Sequence, residues 1–492
     1  MPTAAFMTLG CKVNQYETQR ILDDFERHGF TITEFHRPAD IYVVNTCSVT
    51  QAAERKSRNT LRRARRLNPN AIVVMTGCYA EMARIKGEAF EEVNLIVPNP
   101  HKMQTLNRLL EAFPEIRASL QNSRPPSSTA PTLHRRTRAT IKVQDGCDVF
   151  CTFCSIPYTR TQMVSRPMGE IVSEVERLAD QGFTEIVITG VLVGAYGQEP
   201  GFEGRSEGLP RGTAWTPDRI YQRPDLADLL LALAKVEGIR RIRLSSIEPT
   251  QITDRLLEAF ASEQKLCPHL HIPLQSGSDK ILAAMNRPYN QRFYLERCAA
   301  AKARIPDLAI TADIMVGFPG EDRKDFEQTL YVAREVGYAR AHVFRYSPRP
   351  NTPAATMADQ VSDAEKEARS QELIALCRET QKRFIQSYLG RTMEVLVEGK
   401  GAAVEPSSEN ESIPLIKEEP SGLLGGYTGN YIRVQFTGGS HLIGKLVQVR
   451  LLETTLDGAI GEIGDDTLEP MPEPPADSHS LPLATLSGQL LS

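Results

Sequence analysis

Short apolar runs alternate with longer helix-patterned stretches in the N-terminal part of the chain. Three near-continuous apolar runs, at residues 6–11, 41–47 and 72–78, each end in a small polar turn that contains a cysteine. Such runs are typical of strands buried on both faces, and strands that alternate with helices form parallel sheets. We therefore predict a doubly wound parallel α/β domain over residues 1–115.

A second set of strand–helix units follows a Ser-, Pro- and Thr-rich segment at residues 116–132, which we predict to be a linker. The candidate strands of this set begin near Thr140, Glu185, Arg241, Leu270, Ala309 and Ala341. Helical patterns such as Glu170–Gln181 and Asp322–Glu335 lie between them. These units predict a partial (β/α)6 barrel over residues 133–380, interrupted by a surface loop near residues 199–224.

The C-terminal part changes to a period of two residues. Apolar and polar residues alternate in three segments separated by Gly-rich turns, Met393–Glu398, Tyr427–Phe436 and Lys445–Leu452. This pattern predicts a small antiparallel β-barrel over residues 385–464. A Glu-, Ser- and Pro-rich insert at about 401–424 and the tail at 465–492 have compositions typical of disordered segments.

Length, charge and hydropathy narrow the class of protein. The 492 residues are too many for one average domain, and the net charge of -4 argues against a uniformly basic nucleic-acid coat while leaving room for a local patch. No apolar run approaches the ~20 residues that cross a bilayer, and the first residues lack the pattern of a signal peptide. We expect a cytoplasmic protein without a membrane partner, whose nine cysteines are thiols or metal ligands rather than disulfides.

The strongest chemical motif has the spacing C-x3-C-x2-C. Cys147, Cys151 and Cys154, which we call the barrel trio, follow the first barrel strand, where the active sites of such barrels lie. Three thiolates can hold three irons of a [4Fe–4S] cluster and leave the fourth iron open. The motif therefore predicts a cluster at which S-adenosylmethionine (SAM) is bound and cleaved to a radical.

The alternative for this motif is a zinc site, whose fourth ligand Cys267, His269 or His271 would supply. Cys298 and Cys377 lie in helix-like stretches without cysteine companions, and we predict that they fill the core. Cys267 also leans towards core packing.

A second trio of cysteines is dispersed along the N-terminal domain. Cys11, Cys47 and Cys78, which we call the N-terminal trio, are separated by 36 and 31 residues, yet each ends a predicted parallel strand. The carboxyl ends of parallel strands share one edge of a sheet, so the three thiols can meet there. A single free cysteine is usually a buried core residue, but three at equivalent positions favour a second iron–sulfur site.

The residues around both trios resemble the methylthiotransferases, a radical-SAM family with two iron–sulfur clusters. The segment Thr8–Glu17 is similar to the branch that acts on threonylcarbamoyladenosine in tRNA, and it differs from the isopentenyladenosine and ribosomal-protein S12 branches. Further similar segments are Asn45–Thr50, Gly77–Ala80, Arg241–Pro249, His269–Ser278, Asp313–Glu321 and Tyr427–Tyr431. The last of these would belong to the RNA-binding TRAM barrel of the family.

The resemblance implies two [4Fe–4S] clusters and SAM as cofactors. The barrel trio would hold the SAM-cleaving cluster, and the N-terminal trio an auxiliary cluster that presents sulfur to the substrate. The reaction would place a methylthio group on C2 of N6-threonylcarbamoyladenosine at position 37 of tRNA, without a side-chain acid or base. An electron donor such as flavodoxin or ferredoxin and a sulfur donor would be partners. The alternatives left open are methylthiolation of an aspartate of ribosomal protein S12 and a non-catalytic, metal-bearing RNA-binding protein.

Residues at the predicted strand ends are candidates for SAM contacts. Gly190 and Gly194 could let the backbone approach SAM, although a plain turn accounts for them equally well. Ser246, Glu248 and Gln275 are polar residues that could contact SAM or cap helices.

Cations crowd the predicted helix after the second cysteine, at Arg55, Lys56, Arg58, Arg62, Arg63, Arg65 and Arg66. Others precede the first barrel strand, at Arg135, Arg136 and Arg138. A solvated helix face is the usual explanation of such charges, but their density leads us to expect contacts with RNA phosphates.

The chain departs from the pattern of the family at three places. Leu192 stands where a polar residue is common, and Thr161–Met163 where a glycine and basic residues are common. Asn351 replaces a usual glycine. Both trios are intact.

Overall fold

The structure, a computed structural model, describes residues 1–121, 137–204, 222–349, 351–400 and 422–464. Most of the predicted linker, surface loop, insert and tail, together with Arg135 and Arg136, lies outside these ranges. Within the described residues, no helix combines the length and the apolar character needed to cross a membrane.

The N-terminal domain is a parallel sheet with helices on both faces. Its elements are β1 (Thr3–Thr8), α1 (Lys12–Arg27), β2 (Thr31–Thr33), β3 (Ile41–Thr46), α2 (Gln51–Leu67), β4 (Ile72–Gly77), α3 (Cys78–Lys86), β5 (Leu95–Val97), α4 (Thr105–Ala112) and α5 (Pro114–Gln121). The five strands lie in the order β2-β1-β3-β4-β5, and every neighbouring pair is parallel.

Helices cover both faces of this sheet, so all six residues of β3 are buried. Phe25 of α1 belongs to the core on one face, and Leu61 of α2 belongs to the core on the other. Ile116 and Leu120 of α5 pack against the first of these cores. Residues 116–121 are therefore part of the N-terminal domain, and the start of the predicted linker at 116 is wrong.

The central domain contains six parallel strands. Its elements are β6 (Arg138–Asp145), α6 (Ile156–Thr159), β7 (Val164–Ser165), α7 (Met168–Asp180), β8 (Glu185–Gly190), α8 (Leu226–Ala234), β9 (Arg241–Leu244), α9 (Asp254–Ser262), β10 (His269–His271), α10 (Asp279–Ala284), α11 (Gln291–Arg304), β11 (Ala309–Val316), α12 (Arg323–Val336), β12 (Arg340–Arg345) and α13 (Asp363–Gln386). Parallel ladders join β6, β8 and β9 and, separately, β10, β11 and β12.

Two isolated parallel bridges connect these halves, Ile242 with Leu266 and Ser246 with His271. The short strand β7 is antiparallel and pairs with the carboxyl end of β6. The six parallel strands therefore form one open, partial barrel, which is the predicted fold class.

The C-terminal domain is a closed five-stranded barrel. Its strands are β13 (Thr392–Lys400), β14 (Leu423–Thr428), β15 (Arg433–Thr437), β16 (Leu446–Thr454) and β17 (Ala459–Ile463). They lie in the order β13-β14-β15-β17-β16, and the pair β15–β17 is parallel whereas the others are antiparallel.

Two details of the predicted barrel were wrong. The segment predicted as one strand over Tyr427–Phe436 is two strands, because the chain turns at 429–432. In this turn Tyr431 has a φ of 68°, and the Ile432 N–H donates to Thr428 Oγ1 at 2.9 Å. The end of the predicted insert, residues 423–424, belongs to β14.

The aromatic segment that resembles a TRAM barrel packs against the central domain. Arg243 of β9 donates to the main-chain oxygen of Gly429 at 2.9 Å. The Tyr431 ring stacks between Tyr427 and His269, with both centroid distances at 4.8 Å. These tyrosines therefore join the C-terminal barrel to the central domain.

Candidate active site

The barrel trio lies at the carboxyl edge of the central domain, in the loop between β6 and α6. All three thiols are free, and Cys151 is buried. The neighbouring Thr152 anchors the loop to α10, since its N–H donates to Met285 O at 3.0 Å and its Oγ1 donates to Ala284 O at 2.9 Å. The loop that carries the trio is thus fixed by the barrel itself.

A buried arginine that we did not single out from the sequence contacts this loop. Arg287 Nη1 lies 3.2 Å from Cys151 Sγ, and the same guanidinium forms an ion pair with Glu248 at the end of β9. Only 3% of the Arg287 side chain is exposed. A buried charge needs a partner, so Glu248, proposed as a SAM contact, first serves to balance Arg287.

Burial raises the pKa of the thiols in the barrel trio. It raises the pKa of Cys154 to about 11 and that of Cys147 well above its ordinary value, and the nearby Cys151 adds to both shifts. Burial also raises the pKa of Cys151, against the opposing charge of Arg287. Crowded thiolates are stabilised when a metal shares their charge, and metal binding deprotonates them. This donor set fits a cationic iron–sulfur core.

Buried amide groups without partners lie at the strand ends of the same edge. Both side-chain amide atoms of Gln251 and the Oε1 of Gln275 have no hydrogen-bond partner among the described residues. A buried polar group without a partner costs about 1–3 kcal/mol. A polar cofactor such as SAM would remove this penalty, so the edge fits SAM; Gln275 was predicted, whereas Gln251 was missed.

The other residues predicted to contact SAM lie in different surroundings. Ser246 is exposed. A Cβ added at Gly194 would lie 2.4 Å from Gln251 Oε1, and one added at Gly190 would lie 3.1 Å from Gln144 Oε1. A side chain at Gly194 would therefore clash with Gln251, whereas at Gly190 the contacts are tight but a small shift would relieve them.

The N-terminal trio gathers at the carboxyl edge of its sheet. Cys11 immediately precedes α1, Cys47 follows β3, and Cys78 begins α3. A Cβ added at Gly10 would lie 2.8 Å from Cys47 Sγ. The chain after β1 therefore passes very close to Cys47 at the end of β3. Cys78 interacts electrostatically with both other thiols. Three residues distant in sequence therefore lie side by side.

Main-chain donors approach sulfur in both trios. The Val49 N–H donates to Cys47 Sγ at 3.4 Å, and the Ile156 N–H donates to Cys154 Sγ at 3.4 Å. Hydrogen bonds to sulfur are among the features that set the reduction potential of a cluster. Both sites therefore have donors suited to a charged cluster.

A buried network of charges joins the N-terminal domain to the barrel. Glu17 of α1 accepts hydrogen bonds at 2.6, 2.6 and 2.8 Å from Lys102, Lys142 and Arg160. Lys142 and Arg160 also pair with Asp145, just before the barrel trio. Burial alone would raise the pKa of Glu17, but the three cations hold it well below its ordinary value. The network therefore connects the N-terminal domain to the residues that precede the barrel trio.

One arginine lies between the two trios. Arg349, in the loop after β12, interacts electrostatically with Cys154 of the barrel trio and with Cys47 of the N-terminal trio. Burial lowers the pKa of Arg349, whereas these two thiols act in the opposite direction. Arg349 therefore lies near one thiol of each trio.

Comparison with known proteins identifies the family. Residues 3–97 match the Uncharacterized protein family UPF0004, and residues 141–331 match the Radical SAM superfamily. The chain is 37% identical to the threonylcarbamoyladenosine tRNA methylthiotransferase MtaB of Bacillus subtilis, over 92% of this chain and 94% of that protein. It is 32% identical to the tRNA-2-methylthio-N(6)-dimethylallyladenosine synthase of Carboxydothermus hydrogenoformans, over 92% and 96%.

The chain belongs to the MtaB-like methylthiotransferases of the radical-SAM superfamily. This methylthiotransferase is an enzyme, so the alternative of a non-catalytic RNA-binding protein is wrong. It uses an iron–sulfur cluster and SAM. A solved structure of the radical SAM methyltransferase TsrM from Kitasatospora setae matches with a TM-score of 0.49 and 14% identity, over 72% of this chain and 77% of that one.

The residues suggested as a fourth zinc ligand have other partners in the methylthiotransferase. His269 Nε2 and His271 Nδ1 lie 3.0 and 2.9 Å from Thr311 Oγ1. Cys267 is buried near Arg243. Over the described ranges, no three His, Cys, Asp or Glu side chains converge as the ligands of a single ion would. A cluster needs no such convergence, because each thiolate binds a different iron.

The departures from the family pattern have local explanations in the methylthiotransferase. Leu192 and Met163 pack with Cys147 and Val149 in one small apolar cluster, so these two apolar residues lie beside one cysteine of the barrel trio. Asn351 has a φ of 68°, a conformation that Asn tolerates better than most residues with a side chain.

The predicted basic helix is α2, and its arginines divide into two groups. Three are bonded within their own domain, Arg58, Arg62 and Arg65. Three others are exposed and form no ion pair within the described residues, Arg55, Arg63 and Arg66. Arg138, also expected at an RNA surface, instead pairs with Glu398 of β13 at 2.7 Å and joins two domains.

Proposed function

We propose that this methylthiotransferase acts on tRNA and adds a methylthio group to C2 of N6-threonylcarbamoyladenosine at position 37. The observation that carries the proposal is that the loop of Arg349 is hydrogen-bonded both to Thr152, in the loop of the barrel trio, and to Gln51, soon after Cys47. The relative at 37% identity is named for threonylcarbamoyladenosine, and the one at 32% for dimethylallyladenosine. This difference supports the first base as the substrate.

Each trio is proposed to hold one [4Fe–4S] cluster, because each offers three thiolates and leaves one iron open. When bound, the clusters and SAM supply a radical that opens the C2–H bond and a site from which sulfur is delivered. An aromatic C–H bond is a poor acid, so radical chemistry suits it. The reaction therefore needs no side-chain acid or base.

The polypeptide binds and orients the reactants. Gln251 and Gln275 offer unpartnered amide atoms to SAM. Arg287, balanced by Glu248, donates to one thiol of the barrel trio. The network around Glu17 keeps the two trios at a fixed separation, which the transfer of sulfur between reactive centres requires.

Exposed arginines on α2 are proposed to contact tRNA phosphates. Arg55, Arg63 and Arg66 lie on a helix that begins soon after Cys47, so the basic surface leads to the N-terminal trio. Binding through such charges weakens steeply as salt rises. An electron donor such as flavodoxin or ferredoxin and a sulfur donor complete the proposed partners.

Mass spectrometry of tRNA nucleosides from cells with and without the gene tests the function. We expect the 2-methylthio derivative of threonylcarbamoyladenosine to disappear on deletion and to return with the wild-type gene but not with Cys11→Ala. If that nucleoside is unchanged while the isopentenyladenosine derivative or the S12 aspartate loses its methylthio group, the substrate assignment is wrong.

A further inference from the structure

The main chain around Arg349 is held in a turn. The Thr352 N–H and Oγ1 both donate to Arg349 O, at 3.2 and 2.8 Å. Tyr346, before the turn, is buried and contacts Phe318 edge-to-face with a centroid distance of 5.4 Å. The loop therefore presents Arg349 from a rigid base.

Both catalytic domains hold this loop. The Ala354 N–H donates to Thr152 O, inside the loop of the barrel trio, at 2.9 Å. On the other side, Gln51 Nε2 at the start of α2 donates to Pro348 O at 3.0 Å. Arg349 is thus fixed at the junction of the two sites by contacts to each.

The guanidinium of Arg349 differs from the other two arginines beside the trios. Arg160 pairs with Glu17, and Arg287 pairs with Glu248. Among the described residues, by contrast, no carboxylate lies at ion-pair distance from Arg349 and no acceptor bonds its N–H groups. A guanidinium has five donors in a planar fork, and here they are available to a ligand.

The side chain is half-buried, so a ligand from solution can reach it. Carboxylates and phosphates match the guanidinium fork with two parallel hydrogen bonds. We infer that Arg349 binds an oxyanion of the tRNA substrate and so holds the reacting adenine between the two cysteine trios. This inference rests on the proposed function.

The proposed substrate carries two oxyanions of this chemistry near the reacting carbon. One is the threonyl carboxylate on N6, and the other is a phosphate that flanks the modified nucleotide. Arg349 would recognise either by the same paired hydrogen bonds. The experiment separates the two sources.

Binding of anticodon stem-loop RNAs to the reconstituted, oxygen-protected, full-length protein with SAM tests the inference. Arg349→Gln and Arg349→Lys are compared with the wild type and with Arg345→Gln. Arg345 lies four residues earlier, is half-exposed and pairs with Glu367, so it is a matched control for the loss of one charge. We expect Arg349→Gln to weaken binding roughly tenfold or more, and Arg345→Gln to have little effect.

Two substrate changes identify the oxyanion. If the carboxylate is bound, the wild type prefers the threonylcarbamoyl stem-loop over the unmodified one, and Arg349→Gln loses that preference. If a phosphate is bound, Arg349→Gln weakens both stem-loops equally, and a methylphosphonate at one flanking position weakens the wild type but not the variant. Either pattern supports the inference.

The inference about Arg349 would be overturned if Arg349→Gln bound the stem-loops as tightly as the wild type. It would also be overturned if the variant lost affinity in a way that neither substrate change affected. Iron content and absorbance of each variant check that both sites are loaded, so that a loss of cluster is not mistaken for a loss of contact. If the wild type binds neither stem-loop, the proposed function fails. If the wild type binds the stem-loops and the effect of Arg349→Gln does not depend on either substrate change, only the assignment of Arg349 fails.

Discussion

The barrel trio and the N-terminal trio present three thiols each but are built in different ways. The barrel trio lies in one loop that α10 anchors, and Arg287 contacts it from within the same domain. The N-terminal trio comes from the ends of three adjacent parallel strands, β1, β3 and β4. Its neighbouring charges, Glu17 and Arg160, belong to different domains.

The two trios should respond differently to substitutions that loosen the interface between the domains. The barrel trio depends on contacts inside one domain, so loosening the domain interface should leave it intact. The position of the N-terminal trio relative to the barrel depends on the buried network across that interface. Substitutions near the barrel trio should therefore change the binding of its cluster, whereas substitutions at the domain interface should change the position of one trio relative to the other.

The largest expected effects come from removing one cysteine of either trio. Cys151→Ala should abolish SAM cleavage, because the barrel trio is left with two thiolates. Cys11→Ala should keep SAM cleavage and abolish methylthio transfer. Both are measured by formation of 5′-deoxyadenosine and by iron and acid-labile sulfide per chain.

Loss of SAM cleavage in a folded Cys11→Ala protein that retains its other cluster would contradict this division of labour. A single cluster in the wild type after anaerobic reconstitution with iron and sulfide would contradict it more directly.

A large effect is also expected at Arg287. Arg287→Met leaves Glu248 without its partner and removes a donor to Cys151, so we expect a loss of about 3–5 kcal/mol in stability, as for other broken buried pairs. The thermal midpoint should fall and SAM cleavage should be lost. Arg292→Met is the control, since that side chain is 85% exposed and should change stability by less than about 0.5 kcal/mol.

If Arg287→Met retains the wild-type midpoint and SAM cleavage, the pair has no role in holding the loop. Iron bound at the N-terminal trio should persist in this variant, because no contact of Arg287 reaches that domain among the described residues.

An intermediate effect is expected at the interface. Glu17→Gln leaves Lys102 without its carboxylate partner and removes one of the two carboxylates that pair with Arg160, so the amide hydrogens of α1 should exchange faster while SAM cleavage persists. Methylthio transfer should fall because the two trios lose their fixed separation.

The same network predicts a dependence on pH. The folded-state pKa of Glu17 lies below its ordinary value of 4.5, so its contribution to stability is present above about pH 4.5 and is lost as pH falls further. The protection factors of the α1 amides, which are corrected for the intrinsic exchange rate, should therefore fall below about pH 4.5 in the wild type. Glu17→Gln should lack that part of the dependence; an identical pH profile for both proteins would count against the network.

The smallest effect is expected at Cys298, which lies in neither trio. Cys298→Ala removes one buried sulfur from the barrel core and should reduce stability by about 1 kcal/mol, as for the loss of a methyl group. Iron content and methylthio transfer should match the wild type. A loss of iron would show that the packing interpretation of this cysteine is wrong.

Much of the fold was predictable from local pattern. The strands β1, β3 and β4 are covered on both faces and appear as continuous apolar runs, so their parallel pairing and the meeting of Cys11, Cys47 and Cys78 followed. The turn inside Tyr427–Phe436 was missed although Gly429 and Asn430, followed by the adjacent apolar residues Tyr431 and Ile432, interrupt the alternation there. The helical character of 116–121 was missed because this short segment borders the Ser-, Pro- and Thr-rich run from about Leu120 to Pro131.

The contacts around the sites were not predictable, because their partners are far apart in the chain. Arg287 and Cys151 are separated by 136 residues, and Arg160 and Glu17 by 143. No sequence motif marks Arg349 as a site residue. Its position between the trios depends on where the loop after β12 contacts α2.

The sequence by itself predicted the two cysteine trios as ligand sets and determined the kinds of domain that carry them. Spacing within one loop decides whether three thiols can hold a cluster, and alternation of apolar runs with helices decides that a sheet is parallel. Only the tertiary structure decided which charges stand beside those thiols and how the two trios face one another. The physical reason is that ion pairing and burial depend on distances in space, and distant segments acquire those distances only when the domains pack.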